Sequence, residues 1–468
     1  MKRIFNIIIA FGLALGSVSC VSKLAYTEPE LELPETFKYT ATADTASVAN
    51  LEWRQFFSDP MLQTLIEKGI KNNYDLQIAL KQVASSQEKL KQAKYLQYPD
   101  VGFGVSAQIS KPSKNSMNGQ SLNLFLGKSY VEDYNAAFNL SWEADIWGKI
   151  TSKKLAAEAT YLQTVAAHQA VKTQLISQVA STYYNLLALD AQKQLAQKTI
   201  ENRNKSLETN KALKDAGRVT EVAVKQTEAQ VLSAQALLLD IENNIKIQEN
   251  SLSILEGLFP KEIERSTFAD LQLNVDAEEG VSIETLNNRP DIQAAELGFR
   301  NAFELTNVAK ASFYPTLKLT ASGGLQSVEF EKLFDPTSFF ASIVAGIAQP
   351  ILNGRQIRTQ YEISLSNQEK AFLNYKQSIL NASKEISDAL YAIDINKKKL
   401  VLKQQEAEAY TTAVNYSQEL LNNGMANYLE VLTATESELN AQLNIITTQY
   451  NLWNANIQLY KAMGGGVE

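Results

Sequence analysis

"LNNGMANYLEVL", residues 421–432, holds the single glycine between residues 355 and 463, a span without proline whose texture is otherwise helical. Glycine in a helix interior costs about 1 kcal/mol relative to alanine, so a solitary one needs a reason. A helix that reverses direction needs a residue tolerant of left-handed φ, and glycine beside asparagine suits such a turn. The span therefore reads as two long helices meeting at Gly424, the rival being a glycine kept for close packing. The same texture lies upstream, where residues 149–256 contain no proline and only Gly217, in "KDAGRVTEVAV". From Lys149 to that glycine, at 1.5 Å per residue, the rod is about 100 Å long. A compact globule has no use for such length.

Working outward, the second half of the chain lies on the first. Ala93, Lys94, Tyr98 and Pro99 fall on Ala309, Lys310, Tyr314 and Pro315 at a constant shift of 216. Further along the shift shrinks to 206 or 207, setting "WGK" (147–149) on "NGR" (353–355) and Gly217 on Gly424. The chain reads as two copies of one plan. Its expected divisions are a signal peptide (1–19), an extended N-terminal segment (20–59), a first repeat (60–257), a connection (258–282), a second repeat (283–463) and a tail (464–468).

Each repeat has three textures. A helix, 60–97 or 283–312, is stopped by Tyr-Pro, because proline disfavours helical geometry in the residue before it. Alternating stretches follow at 101–109, 134–142, 317–325 and 339–348, and their two-residue period with Phe, Val and Tyr reads as four strands. The long helical arms come last. Leu439, Leu443, Ile446, Tyr450, Trp453, Ile457 and Tyr460 follow a 3.5-residue spacing, and so does the series from Val231 to Leu255, interrupted in character by Gln248. That period winds helices into left-handed coiled coils. Heptads alone fit a periplasmic coiled-coil scaffold, but the strands weaken that reading. Each has about the length of a barrel stave, and four are too few to enclose a pore, so several copies must pool them.

Composition narrows the function. The 468 residues carry a net charge of −7, or −9 without Lys2 and Arg3, and show no basic cluster, which argues against nucleic acid. A mean hydropathy of −0.20 excludes a bundle of membrane-spanning helices. The N-terminus "MKRIFNIIIAFGLALGSVSC" has the basic head, short apolar run and small residues of a secretory signal peptide. Cys20 is the only cysteine and cannot form an internal disulfide. Either something modifies it or it sits beside an ordinary cleavage site. His168, the only histidine, lies in a helical stretch far from it, which leaves no basis for a zinc site, a cysteine-histidine pair or a triad. No phosphate-binding loop or dinucleotide fingerprint is present, so no cofactor is expected and the chain does not read as an enzyme. Trp142 and Trp147, with Tyr130 and Tyr134, flank the second strand, as interfacial aromatics or as packing at its ends.

The ordered set Trp53, Phe56, Phe57, Asp59 and Leu62, "WEADIWGK" (142–149), "RPDIQAAE" (289–296), "FYPTLKL" (313–319) and "QPILNGRQIR" (349–358) resembles the outer-membrane factors of the TolC and OprM type. The resemblance covers nearly the whole mature chain. It implies an α+β, membrane-associated homotrimer whose 12-stranded β-barrel continues into a long periplasmic α-helical barrel. It implies an efflux exit duct working with a periplasmic adaptor and an inner-membrane RND-type pump, without nucleic acid; polypeptide secretion is the alternative on the same fold. "SVSC" resembles a lipobox, with Ser17 where a large aliphatic residue is usual, making Cys20 the lipid-modified first residue held in outer-membrane lipid. Gly217 and Gly424 match the tip turns of the helical hairpins, where adaptors dock. "YLEVLTA" matches the aperture segment, placing its two acidic positions on Glu430 and Thr433, only the first of which is acidic. The latch residues of some members would fall on Ala426 and Leu421, so that latch is not implied, and Ala223 stands at the first-repeat equivalent of Glu430. Three Glu430 carboxylates around one axis would repel and favour a cation, giving a cation-selective, pH-sensitive aperture.

Overall fold

The structure, a computed structural model, describes residues 24–27, 29, 52–270, 286 and 288–466. The expected signal peptide and Cys20 lie outside the described residues, as does most of the connection after 270. A single turn, Trp53–Phe56, precedes α1 (Pro60–Asn72), α2 (Tyr74–Tyr95), β1 (Asp100–Ser110), α3 (Met117–Leu126), β2 (Val131–Ala144), α4 (Lys149–Asp215) and α5 (Glu221–Leu255). The second half runs α6 (Pro290–Ala311), β3 (Thr316–Ser327), β4 (Phe339–Ala348), α7 (Gln356–Asn422) and α8 (Tyr428–Ala462). The chain is mostly helical with one small sheet. Among the described residues no helix is long and apolar enough to cross a membrane.

The residues fall into two units, and α2, α4, α6 and α7 each run from one into the other. The first unit comprises residues up to 29, 85–162 and 297–373. It holds the sheet, four antiparallel strands in the order β1-β2-β3-β4. Its strands lie where the sequence alternates. The loop between β1 and β2, which reads as merely long and polar, contains α3: Ser116 caps it by accepting from the Gly119 N–H, and Gly127 ends it at φ +62°.

The second unit comprises residues 30–84, 163–296 and 374–468, so far as they are described. Its core gathers the aromatic residues that carry the family resemblance. Phe56 stacks on Tyr460 at 4.3 Å, Phe57 meets the same ring edge-on at 5.7 Å, and Tyr184 and Phe268 lie against Trp453. Asp59 caps α1 through the Met61 N–H and also accepts from the Tyr183 hydroxyl at 2.6 Å and the Ser266 hydroxyl at 3.0 Å. Burial first, and then the bond to Asp59, hold the Tyr183 hydroxyl well above the usual tyrosine range, so it stays a donor. The helix expected from residue 60 breaks at Asn73. Its side chain accepts from the Leu76 N–H and donates to the Leu255 carbonyl, which diverts the chain from one continuous helix.

The seam of α5 also differs from the heptad reading. After Ile241 and Ile245 the buried position is Glu249 rather than Gln248. Glu249 can be buried because Arg265 donates to it at 2.7 Å and Lys246 at 2.9 Å. Arg265 also grips Asp190 of α4, tying the segment after Gly257 onto the helical pair.

Candidate functional site

The sheet has two unlike faces. Along β1, Val101, Phe103 and Val105 stand across from Leu140, Phe138 and Ala136 of β2. Leu317, Leu319 and Leu325 of β3 and Ile347, Ile343 and Phe339 of β4 continue the same face. On the outer strands these side chains are exposed, Ile343 at 77% and Val105 at 70%, as is Phe138, while Leu140, Leu317, Leu319 and Leu325 between them are half-buried. The opposite face presents Ser106, Gln108, Asn135, Asn139, Ser322 and Gln326, with the Ser322 hydroxyl donating to Asn139 and Gln326 to Asp133, each at 2.9 Å. A water-soluble antiparallel sheet packs its apolar face on a core. An uncovered apolar face backed by a polar one is the pattern of staves set between lipid and a wet lumen. The outer edges of β1 and β4 have no partner strand among the described residues.

Aromatics mark both ends of the strands. Where β3 begins, the Trp147 indole stacks on Tyr314 at 4.8 Å and donates to the Pro315 carbonyl at 2.8 Å, while Trp142 donates to the Gln97 carbonyl at 2.9 Å. At the other end Tyr134 meets Phe330 at 5.4 Å. Indoles with their N–H groups satisfied and their rings beside strand ends suit a membrane boundary.

Gly217 lies between α4 and α5 with φ +70°, and Gly424 between α7 and α8 with φ +71°. At the first, the Gly217 N–H donates to the Lys214 carbonyl and the Arg218 N–H to that of Leu213, both at 2.8 Å. At the second, Gly424 donates to Leu421 at 3.0 Å and Met425 to Leu420 at 2.8 Å. Both are Schellman closures, which satisfy the last carbonyls of a helix and need a left-handed residue. A Cβ at either glycine would meet nothing within 4 Å, so backbone conformation and not shortage of room selects glycine. Three residues on, Thr220 and Asn427 cap the returning helices through the Ala223 and Glu430 N–H groups.

The partners along α4 and α5 run in opposite directions: Lys193 pairs with Glu242, Arg203 donates to the Gln230 carbonyl, and Asn210 donates to the Thr227 hydroxyl. The two helices thus form an antiparallel hairpin. Further contacts join it to α8, with Ser181 on Asn454, Arg203 on Glu436 at 2.6 Å, and the Thr227 hydroxyl 2.8 Å from that of Tyr428. These ties join residues more than 200 positions apart, and no short motif announces them. The one sequence signal is a buried polar residue where a seam should be apolar, as at Arg203, Asn210 and Thr227.

Gly424, Glu430 and Thr433 come together around the first turns of α8. Glu430 and Thr433 are both exposed and lie one helical turn apart, the Thr433 hydroxyl donating to the Leu429 carbonyl at 2.9 Å. Ala223, at the corresponding place in the first hairpin, is buried. His168 lies on α4, where burial first and then Lys172 hold its imidazole below the usual histidine value.

A sheet with one apolar and one polar face, in a chain that also carries long helical hairpins, is the pattern of a channel component. The profile of the outer membrane efflux protein family matches residues 65–258 and 281–465, and the chain belongs to that family. It is an outer-membrane exit duct of tripartite efflux. Cation efflux system protein CusC of Escherichia coli (strain K12) is 26% identical over 463 residues, spanning 98% of this chain and 99% of CusC. The toluene efflux pump outer membrane protein TtgI of Pseudomonas putida is 28% identical, spanning 97% of this chain and 96% of TtgI. A crystal structure of CusC matches with a TM-score of 0.85 at 26% identity, covering 95% of this chain and 100% of that one.

Proposed function

We propose that three copies of the chain pool their sheets into one 12-stranded outer-membrane barrel, and that their duplicated helical hairpins form the periplasmic tube below it. The observation that carries this reading is the four-stranded sheet with an apolar face and two edges that have no partner strand among the described residues. Such an edge invites pairing with another chain, and closure into a barrel is what removes it. The duct conducts small toxic compounds or drugs by passive flow, without a covalent step. An inner-membrane RND-type pump drives the cargo and a periplasmic adaptor joins pump to duct.

In this reading the turns at Gly217 and Gly424 are the periplasmic tips and meet the adaptor. The exposed Glu430 side chains of three copies converge to a cation-favouring constriction, with Thr433 adding a polar but uncharged ring. The buried Ala223 supports a constriction lined by the second hairpin only. Cys20 carries the lipid that holds the N-terminus in the outer membrane. Reconstitution of the purified mature protein in a planar bilayer tests the whole: discrete conductance steps from a heat-sensitive oligomer are expected, and a soluble monomer that never conducts overturns it. Drug hypersensitivity of a deletion strain identifies the cargo class.

A further inference from the structure

The connection from β1 to β2 lies at the end of the sheet opposite the one where α4 and α7 depart. The apolar alternation of β1, through Val101, Phe103, Val105, Ala107 and Ile109, ends with the strand at Ser110, and the next residue in that two-residue rhythm is Lys111. From 101 to 131 the chain carries three lysines, Lys111, Lys114 and Lys128, and no acid. All three are exposed, and Lys111 and Lys114 have no ion-pair partner among the described residues. The acids of this end, Glu329, Glu331 and Asp335, belong to the connection from β3 to β4. There Glu329 pairs with Lys332 at 2.7 Å and also feels the charge of Lys128.

Within this connection α3 is a built element. The Ser116 hydroxyl donates to the Ser113 carbonyl at 2.7 Å and accepts from the Gly119 N–H at 3.1 Å. A Cβ at Gly119 would run into the Ser113 carbonyl and come within 3.2 Å of the Lys114 Cα, so glycine lets the backbone that carries Lys114 fold onto the helix. Leu122, three positions on from Gly119, is buried on that same side. Met117, Leu124 and Phe125 share the opposite arc at helical spacing and are 83%, 79% and 80% exposed. Large apolar side chains left open together mark a surface that meets a membrane or a partner. With lysines beside its first turn, α3 has the composition of a helix that lies in a membrane interface.

We propose that α3, with Lys111 and Lys114, is a docking site for a phosphate-bearing, multiply acylated lipid of the outer leaflet. Met117, Leu124 and Phe125 lie among its acyl chains, and the two ammonium groups bind its phosphates. The inference rests on the duct reading above, which puts this end of the sheet on the outside. Charge selects the occupant. The same connection of a second copy would bring three more lysines and no acid, and so would repel. The β3–β4 connection of a second copy is acidic, but Glu329, Asp335 and Glu331 all act on their own Lys332. An anionic headgroup with apolar tails complements both the lysines and the open arc of α3.

The test uses the full mature chain, purified as the oligomer in detergent, with lipid A and its dephosphorylated form as probes and native mass spectrometry to count bound lipid. Wild type should bind the phosphorylated probe more tightly. Lys111→Ser with Lys114→Ser should weaken that binding about 25-fold, fivefold for each lysine facing an anionic surface, and leave the dephosphorylated probe unaffected. Lys111→Arg with Lys114→Arg should keep the wild-type affinity. Leu124→Ser with Phe125→Ser should weaken both probes. Equal binding of the two probes by wild type, or unchanged binding by the serine pair at 111 and 114, would overturn the proposal. Dissociation of the oligomer in either serine variant would overturn it too, by setting this face against a neighbouring copy. Conductance of the same wild-type preparation is read alongside. A conducting oligomer without preference for the phosphorylated probe removes this inference alone, whereas a monomer that never conducts removes the duct reading and this site with it.

Discussion

Replacing Gly424 by alanine isolates what the backbone requires at the second hairpin tip. No atom would crowd the new Cβ, so the cost is that of holding an L-residue at φ +71°, about 1 to 2 kcal/mol. Local opening of the turn should then become about 5- to 30-fold more frequent. The amides that report it are those of residue 424 and Met425, which donate to the Leu421 and Leu420 carbonyls. Hydrogen exchange followed by mass spectrometry on the detergent-solubilised oligomer reads them directly, and peptides around Tyr460 serve as the unaffected reference. Asparagine at 424 should cost less than alanine, because its short side chain is more tolerant of left-handed φ. Exchange at 424 and 425 unchanged by alanine would refute the turn argument. So would asparagine proving worse than alanine, the order expected if the glycine were there for want of space.

Tyr183→Phe removes a hydroxyl that donates to Asp59 and accepts from the Ser266 N–H; leaving such buried partners unpaired should destabilise the second unit by about 1 to 3 kcal/mol, seen as a lower denaturation midpoint. Glu249 and Asp291 have burial pulling their carboxyls up, but bonds from Arg265 and Lys246, and from Arg289, outweigh it and hold both below their ordinary values of 4.5 and 3.8. Depressed acids give stability that is present above those values and lost as pH falls through the lower folded ones. Thermal stability should therefore drop below about pH 4.5, in addition to the loss that the lowered His168 contributes as pH falls below 6.5, and a His168→Gln variant without a drop below pH 4.5 would contradict this. Glu430→Ala should abolish cation preference and pH response in single-channel recordings, and wild-type behaviour would remove the aperture assignment.

Much of the architecture is legible because its signals are local and periodic. Gly217 and Gly424 stand out as the lone glycines in long helical texture, and the alternation that gives the sheet its two faces can be read strand by strand. The helix α3 is not legible in the same way, since its start depends on the Ser116 cap and its text is otherwise polar and mixed. Nor is the break at Asn73, which exists because that side chain bonds the Leu255 carbonyl, 182 residues away. Glu249 displaces Gln248 from the seam for a reason that periodicity cannot contain: its burial depends on Arg265 from a later segment. At the tip, Glu430 is conspicuous as an acid. Tyr428, two residues before it, becomes meaningful only through its contact with Thr227.

The most direct measurement of the shared barrel is a disulfide between strands that one chain cannot join. β1 and β4 lie at opposite edges of the sheet, three strand spacings or about 14 Å apart, and a disulfide needs Cα atoms within about 7 Å. Gly104 and Gly346 both have open space for a side chain, so cysteines at 102 or 104 paired with cysteines at 342, 344 or 346, with the parent chain bearing Cys20 alone as the control, scan the edge register. Oxidation of membrane-embedded protein should yield covalent dimers and trimers on denaturing gels for at least one pairing. If every pairing leaves the chain monomeric, the edges do not meet between copies and the shared barrel is wrong.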